Sequence, residues 1–245
     1  MSRCRIYPAA PHPSEDKLEA LRELPSTIVS DALDRYGLVQ GVKQITSNDL
    51  GIMAGPALTV RTLPGDNLVI YKAIDIAEPG DILVIEAGGA MDRAVMGEIV
   101  CHHAEAMGIA GLVIDGCIRD GAEIAAGTMP VFAKGYAHPG PFKNGPGELR
   151  GPVSVGGVVI RNGDLVVGDA DGVAVVPVDR LEAAISGGQA ALAREEEAIR
   201  VAKAGEMDTS WLDDKLELEF VDGATIPDRP ERGEGSGEVL YPKLG

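Results

Sequence analysis

Two short runs, Gly97-Glu98-Ile99-Val100 and Arg119-Asp120, carry residue types from which a site for a small anion and a cation could be built. If Gly97 caps a helix, the amides of Glu98, Ile99 and Val100 lack partners within that helix and point outward with the positive end of its dipole. Such a helix end attracts an anion, and glycine at the cap lets a ligand approach the backbone. Arg119 adds a planar fork that matches a carboxylate, and Asp120 adds a hard oxygen suited to a divalent cation. The same residues would equally serve as a helix cap and a surface ion pair, so spacing alone leaves both uses open.

The elements around these runs must bring them together. A flexible Gly88-Gly89 turn leads into a helix from about Gly97 to Met107, which Gly108 closes, and an apolar strand from Gly111 to Ile114 then delivers Asp115 to Asp120. Adjacent strand residues face opposite ways, so Arg119 and Asp120 can share one site only if the chain turns there. Asp92 and Arg93, in the loop before Gly97, are as suited to pairing with each other as to meeting a ligand. His102 shares a helix face with Glu98, while His103 falls nearer the apolar stripe of Val100, Ala104 and Met107. Neighbouring histidines on a helix point in different directions and make no metal clamp.

Upstream, Pro8, Pro11 and Pro13 predict an extended arm, and Ser14 an N-cap for a helix that buries Leu18 and Leu21 and stops at Pro25. A second helix starts at Ser26 or Thr27, with Val29, Ala32, Leu33 and Tyr36 on one stripe and Gly37 at its end. A strand over 55–63 closes at Pro64-Gly65-Asp66, a helix follows over 68–77, and a strand over 82–85 ends at Glu86, which could face a pocket or water. After Asp120 come a short helix (122–126), a strand (131–134) and a long loop (135–151) containing His138. Strand 153–160 and the Arg161-Asn162-Gly163-Asp164 turn read as a hairpin with 165–167, followed by strand 173–176. Residues 178–204 form a helical run with a break at Gly187-Gly188, and Glu195, Glu196 and Glu197 mark an acidic face. Residues 223–238, rich in Gly, Pro and charge, read as a mobile arm or one laid over a partner.

A chain of 245 residues with 45% hydrophobic and 24% charged content can build one substantial core. No apolar run reaches the ~20 residues that span a bilayer, and the first residues lack the apolar stretch of a secretory signal, so a cytoplasmic location away from membranes is expected. Cys4, Cys101 and Cys117 form no CxxC pair and read as reduced thiols. A net charge of −16 argues against a nucleic-acid surface, while a small anion needs only a local positive pocket. The absence of G-x-G-x-x-G and of a Gly-rich G-K-[ST] loop removes dinucleotide and nucleoside-triphosphate folds.

The run G-E-I-V at 97–100 followed by G-I-A-G-L-V-I-D-G-C-I-R-D at 108–120 resembles the RraA-like family, which includes the 4-hydroxy-4-methyl-2-oxoglutarate / 4-carboxy-4-hydroxy-2-oxoadipate aldolases. Those aldolases share an acidic residue, twenty intervening residues and then Arg-Asp, the spacing of Glu98 to Arg119-Asp120. The resemblance continues through T-I-V-S-D-A-L-D-R-Y-G at 27–37, G-P-A-L-T-V-R-T at 55–62, P-G-D-I-L-V-I at 79–85 and G-D-A-D-G-V-A-V-V-P at 168–177. It covers residues 25–205 as one domain, with 1–24 as an N-terminal arm and short helix and 206–245 as a C-terminal extension, partly mobile or oligomer-contacting.

The resemblance implies an α/β fold of the swivelling β/β/α sandwich type, assembled as a homotrimer or homohexamer. It implies a class II, metal-dependent aldolase that cleaves a 4-hydroxy-2-oxo acid to pyruvate and a second oxo acid, with oxaloacetate decarboxylation as a related activity. Mg²⁺ or Mn²⁺ would sit on Asp120 with water in most other positions. Arg119 and the amides of Gly97, Glu98, Ile99 and Val100 would hold the 2-oxo carboxylate, and Glu98 would orient the waters. A glutamate from a neighbouring subunit, Glu195 or Glu197 among the candidates, would approach them. RraA itself is similar to these enzymes but binds and inhibits a ribonuclease, which makes a non-catalytic regulator the alternative; RraA departs from the metal-binding pattern, and this chain keeps Arg119-Asp120.

Overall fold

The computed structural model describes residues 1–212 and 214–225. The chain divides into two compact units, Met1–Gln189 and Ala190–Gly245. In chain order the first contains β1 (Cys4–Ile6), α1 (Glu15–Arg22), α2 (Ser26–Ala32), β2 (Leu38–Val39), β3 (Lys43–Gln44), β4 (Met53–Thr62), α3 (Leu68–Ile76), β5 (Ile82–Glu86), β6 (Ala94–Met96) and α4 (Glu98–Ala106). There follow β7 (Gly111–Ile118), α5 (Gly121–Ala125), β8 (Val131–Tyr136), β9 (Gly147–Leu149), β10 (Val153–Val155), β11 (Val158–Ile160), β12 (Leu165–Asp169) and β13 (Gly172–Val176). Helix α6 (Leu181–Ala204) begins in the first unit.

The large sheet has the order β2-β13-β12-β4-β5-β7-β8-β3. Its centre, β4-β5-β7-β8, is parallel, while β12 joins β4 and β13 antiparallel. The central strands read as nearly continuous apolar runs because both faces are covered, as parallel sheets require. On one face Leu83, Ile85, Leu112 and Ile114 pack with Ile70 and Ile74 of α3 and Val100 and Ala104 of α4. On the other, Val84, Val113 and Phe132 pack with Val153, Val155 and Ile160 of the small hairpin and with Val166 and Val175 of the antiparallel part. Helices, parallel sheet and a second β layer thus make the β/β/α arrangement expected from the resemblance.

Four local expectations change. The predicted hairpin across Arg161 to Asp164 instead turns at Gly156-Gly157, whose φ values of 55° and 84° suit glycine, so β10 pairs with β11 and β12 pairs with β13. Helix α2 stops at Ala32 rather than running to Gly37, with Asp34 and Arg35 at positive φ. That turn lays the Gly37 backbone on β13, where Val175 N donates to Gly37 O at 2.9 Å. Gly187-Gly188 does not break α6, which runs unbroken from Leu181 to Ala204. The glycines are there for close packing, since a Cβ on Gly188 would stand 2.7 Å from Leu24 Cδ1. Finally, β7 extends past Ile114 to Ile118 because the unforeseen β6 pairs with its end.

In the second unit the described residues comprise the end of α6 and a 3-10 turn, Ser210–Leu212. Glu195, Glu196 and Glu197 are exposed, and Glu197 is held by Arg200, whose hydrogen bond lowers its pKa. The arm predicted over 223–238 lies outside the described residues from 226 onward. Among the described residues no helix is long and apolar enough to cross a membrane.

Candidate functional site

The residues singled out by spacing meet where β6 and β7 end. Met96 O accepts from Arg119 N at 3.0 Å, which sets the start of α4 beside the end of β7. Asp120 then adopts φ 58° and ψ 46° and becomes the N-cap of α5. This left-handed residue is the turn that two adjacent strand positions need to share a site: Arg119 Nε lies 3.6 Å from Asp120 Oδ2. Aspartate tolerates that conformation better than most side chains.

Asp120 reaches across to α4, where its Oδ2 accepts from the Glu98 amide at 3.1 Å. Gly97 makes this contact feasible, because a Cβ there would lie 2.2 Å from the same oxygen. The helix end is therefore partly occupied by the protein's own carboxylate, which corrects the expectation of three free amides. Glu98 N serves Asp120, and Val100 N donates to Gly97 O at 3.1 Å. The Ile99 amide alone of the three has no hydrogen-bond partner among the described residues. Glu98 turns its carboxylate along α4 toward His102, at 3.5 Å.

Arg119 and Asp120 open onto a cleft of about 710 Å³, walled on the other sides by Gly121, Tyr136, Ala137 and His138. The Tyr136 ring lies on the backbone of Gly121, where a Cβ would come within 2.4 Å of it. Residues 97–100 do not line this cleft; they meet it through Asp120. His138 stood in the sequence only as a residue of a long loop, with no periodic pattern to aim it. That loop is fixed by polar contacts that composition does not show. Buried Asp66 accepts from the amides of Asn144 and Gly145 at 2.6 and 3.1 Å, and Asn67 N donates to Phe142 O at 2.9 Å. Asn67 Oδ1 is buried beside it with no hydrogen-bond partner.

The open acidic positions resolve as structural ties. Glu86 accepts from Arg61 Nε and from Ser154 N, binding the small hairpin to the sheet. Asp169 accepts from Ser26 N and Oγ at the start of α2, at 2.7 and 2.6 Å. Asp92 and Arg93 form no ion pair; the Arg93 guanidinium instead lies 4.1 Å over the Phe142 ring and donates to Gly140 O. Lys134 Nζ pairs with Asp115 Oδ1 at 3.1 Å.

What could hold a cation here is a single carboxylate. No group of three or more His, Cys, Asp or Glu side chains gathers among the described residues. Cys101, on α4, is pushed up to about 12 by burial and then by nearby acidic groups, so it stays a thiol and offers no thiolate. Asp120 has one oxygen on the Glu98 amide, and the residue lines the open cleft. That donor set fits Mg²⁺, which keeps several of its own waters, and fits poorly with zinc, which takes three or four nitrogen and sulfur ligands.

Arg119 is half-exposed and makes no hydrogen bond from its guanidinium among the described residues, so its fork is free for a carboxylate. Arg119→Lys replaces the fork by a point charge. The expected outcome is a roughly 10-fold higher KM for an anionic substrate together with a lower kcat, measured by steady-state kinetics. Unchanged kinetics would move the carboxylate position elsewhere.

Comparisons with known proteins converge on one group. Residues 26–175 match the family described as RraA-like: Aldolase/RraA. A Halalkalibacterium halodurans protein named "Putative 4-hydroxy-4-methyl-2-oxoglutarate aldolase" is 45% identical over 163 residues, covering 66% of this chain and 77% of that one. An uncharacterised protein from Pseudomonas syringae superposes with a TM-score of 0.71 at 27% identity, covering 86% of this chain and 100% of the other. Streptomyces coelicolor RraAS2, described as an unusual member of the RNase ES inhibitor RraA protein family, gives 0.69 at 26% identity, with 77% and 98% covered.

Proposed function

The chain belongs to the RraA-like family, and from that premise we propose that it is a lyase cleaving a 4-hydroxy-2-oxo acid to pyruvate and a second oxo acid. The observation that carries this reading is the junction of Gly97, Arg119 and left-handed Asp120 on an open cleft. The relative named an aldolase, 45% identical, gives the reaction class.

Asp120 and water would hold Mg²⁺ or Mn²⁺, which when bound supplies Lewis-acid stabilisation of the negative charge that builds on a 2-oxo group as the carbon–carbon bond breaks. The protein's own part is placement. Arg119 takes the carboxylate next to the oxo group in two parallel hydrogen bonds, and the N-terminal end of α4 adds a positive field behind Asp120. The Glu98 amide holds the Asp120 carboxylate in one orientation, so no reorganisation is needed as charge develops. Glu98, at the start of α4, would orient water near the cation, and that water would carry a proton to the departing carbon. Oxaloacetate presents the same 2-oxo carboxylate and loses carbon dioxide through the same charge distribution, so decarboxylase activity belongs to this proposal.

Assembly as a homotrimer or homohexamer, with Glu195 or Glu197 of a neighbouring copy approaching the cleft, extends the proposal. A cytoplasmic location accords with it. The regulator reading draws on the resemblance to RraAS2, but a ribonuclease inhibitor has no use for a carboxylate fork and an acid ligand fixed over a cleft.

The test is direct. Purified protein with Mg²⁺ should release pyruvate from a 4-hydroxy-2-oxo diacid and carbon dioxide from oxaloacetate, excess chelator should abolish both, and oxalate should inhibit both competitively with similar constants. Turnover on neither substrate, together with a stable complex with a ribonuclease, would replace the lyase by the regulator.

A further inference from the structure

We infer that His138 is a further catalytic residue of this site, the base that takes the proton of the 4-hydroxyl as the carbon–carbon bond breaks. The inference rests on the lyase reading and assigns the one proton which that reading leaves unplaced.

Cleavage of a 4-hydroxy-2-oxo acid moves two protons. One leaves the 4-hydroxyl as C4 becomes a carbonyl, and one arrives at C3 after the bond has broken. Water oriented by Glu98 supplies the second. The first must be taken up close to the oxo group, because C4 stands only about 2.5 Å from C2 along the carbon chain. A base for it therefore has to line the same cleft as Arg119 and Asp120.

The cleft offers few candidates. Besides Arg119 and Asp120, its polar side chains are those of Tyr136 and His138, and the remaining lining is glycine and alanine. A guanidinium accepts no proton, the Asp120 carboxylate serves the Glu98 amide and the cation, and a phenol arrives with its own proton in place. A neutral imidazole presents a bare ring nitrogen and can pass a proton on to water. His138 has that nitrogen to spare, since its side chain makes no hydrogen bond or ion pair among the described residues. His12 lies 3.0 Å from Asp81, and His102 lies between Glu98 and Glu105 at 3.5 and 3.6 Å. His103 does not line the cleft.

The backbone that carries His138 is fixed on both sides. Ala137 N donates to Ile118 O at 2.9 Å, and Pro139 O accepts from Ala94 N at 3.0 Å. Gly140 O accepts from Arg93 Nη1 at 2.5 Å, and a Cβ on Gly140 would stand 2.7 Å from Arg119 Nη1. The segment is thus tied to β6 and to the end of β7, and it rests against the arginine that takes the carboxylate. A base on such a support keeps its distance from the bound acid, while the exposed ring stays within reach of the solvent.

The step balances. The 4-hydroxyl proton passes to the His138 ring, the C3–C4 electron pair moves into the C2–C3 bond and onto the oxo oxygen, and C4 departs as the carbonyl of the second oxo acid. C3 then takes a proton from the water, and His138 returns its own to the hydroxide left behind. Oxaloacetate needs no such base, because the carboxylate it sheds carries no proton.

The test compares pyruvate release from 4-hydroxy-2-oxoglutarate with decarboxylation of oxaloacetate, both with Mg²⁺. In His138→Ala and His138→Gln the ratio of the first kcat to the second should fall at least ~100-fold, the scale of a lost general base. Added imidazole should restore cleavage in His138→Ala and leave decarboxylation where it was. Circular dichroism checks that each variant is folded. A parallel loss of both activities overturns the inference by making His138 a part of the cleft wall alone. No loss of either overturns it by giving the first proton to water, and the same split in Tyr136→Phe with none in the His138 variants overturns it by giving that proton to the phenol. If the unmodified protein cleaves no 4-hydroxy-2-oxo acid, the lyase reading falls, and the inference with it.

Discussion

Asp120→Asn should leave the protein folded and reduce turnover by at least ~100-fold, since outer residues that merely orient a metal ligand already account for 10- to 100-fold and Asp120 is the proposed ligand itself. Asparagine keeps what the fold needs from this position: it accepts φ 58°, and its amide oxygen can still receive the Glu98 N–H. What it loses is the charge. Asp120→Ala removes more, because the cap on α4 disappears and a left-handed alanine is strained. Its stability should fall by about 2–3 kcal/mol, from roughly 1 for the cap and 1–2 for the backbone. Thermal melts separate the two variants, and titration with Mg²⁺ alongside pyruvate release reads the chemistry. Wild-type metal affinity and turnover in Asp120→Asn would remove Asp120 from the proposed role.

Gly97→Ala is expected to be nearly as damaging although it adds one methyl group. The backbone at Gly97, with φ −148° and ψ −166°, is extended and open to any residue. The whole effect is therefore contact. The added carbon would stand 2.2 Å from Asp120 Oδ2, 3.0 Å from Arg119 Cγ and 3.1 Å from Asp120 Cγ. Relief requires the carboxylate to swing away from the Glu98 amide, and a displacement of about 1 Å in a reacting constellation can cost ~100-fold in rate. Stability should fall by about 1–3 kcal/mol, as for other overpacked positions. Kinetics and melting of this variant beside Asp120→Asn test whether the two substitutions break the same contact. Wild-type kinetics in Gly97→Ala would mean that Asp120 is not held there during turnover.

Much of this architecture was legible before the structure. Apolar runs announced the parallel strands, Ser14 and Pro25 bounded the first helix, and the Glu98 to Arg119-Asp120 spacing singled out residues that the fold brings together at the ends of β6 and β7. What was not legible depended on the chain meeting itself. Composition cannot say that Asp120 turns left-handed and occupies the helix end expected to be free. Gly187-Gly188 looked like a helix break because a packing partner 164 residues away, Leu24 against Gly188, leaves no mark in local sequence. Arg93 and His138 belonged to segments without periodicity. Their neighbours are set by Asp66 pinning Asn144 and Gly145, and by Pro139 O accepting from Ala94 N.

The margins of the large sheet carry a different consequence. Its main path ends in β2, Leu38–Val39, and in β3, Lys43–Gln44, each two residues long, and the branch through β9 ends in β1, Cys4–Ile6, of three residues. Such stubs expose too few backbone donors and acceptors to template another strand, and a lysine on one of them adds a charge that a docking strand would have to bury. Copies of this chain are therefore guarded against the open-ended strand addition that leads to fibres. Any closed ring they form must be built from side chains on the faces and helices, where a single substitution can tune affinity without risking runaway growth.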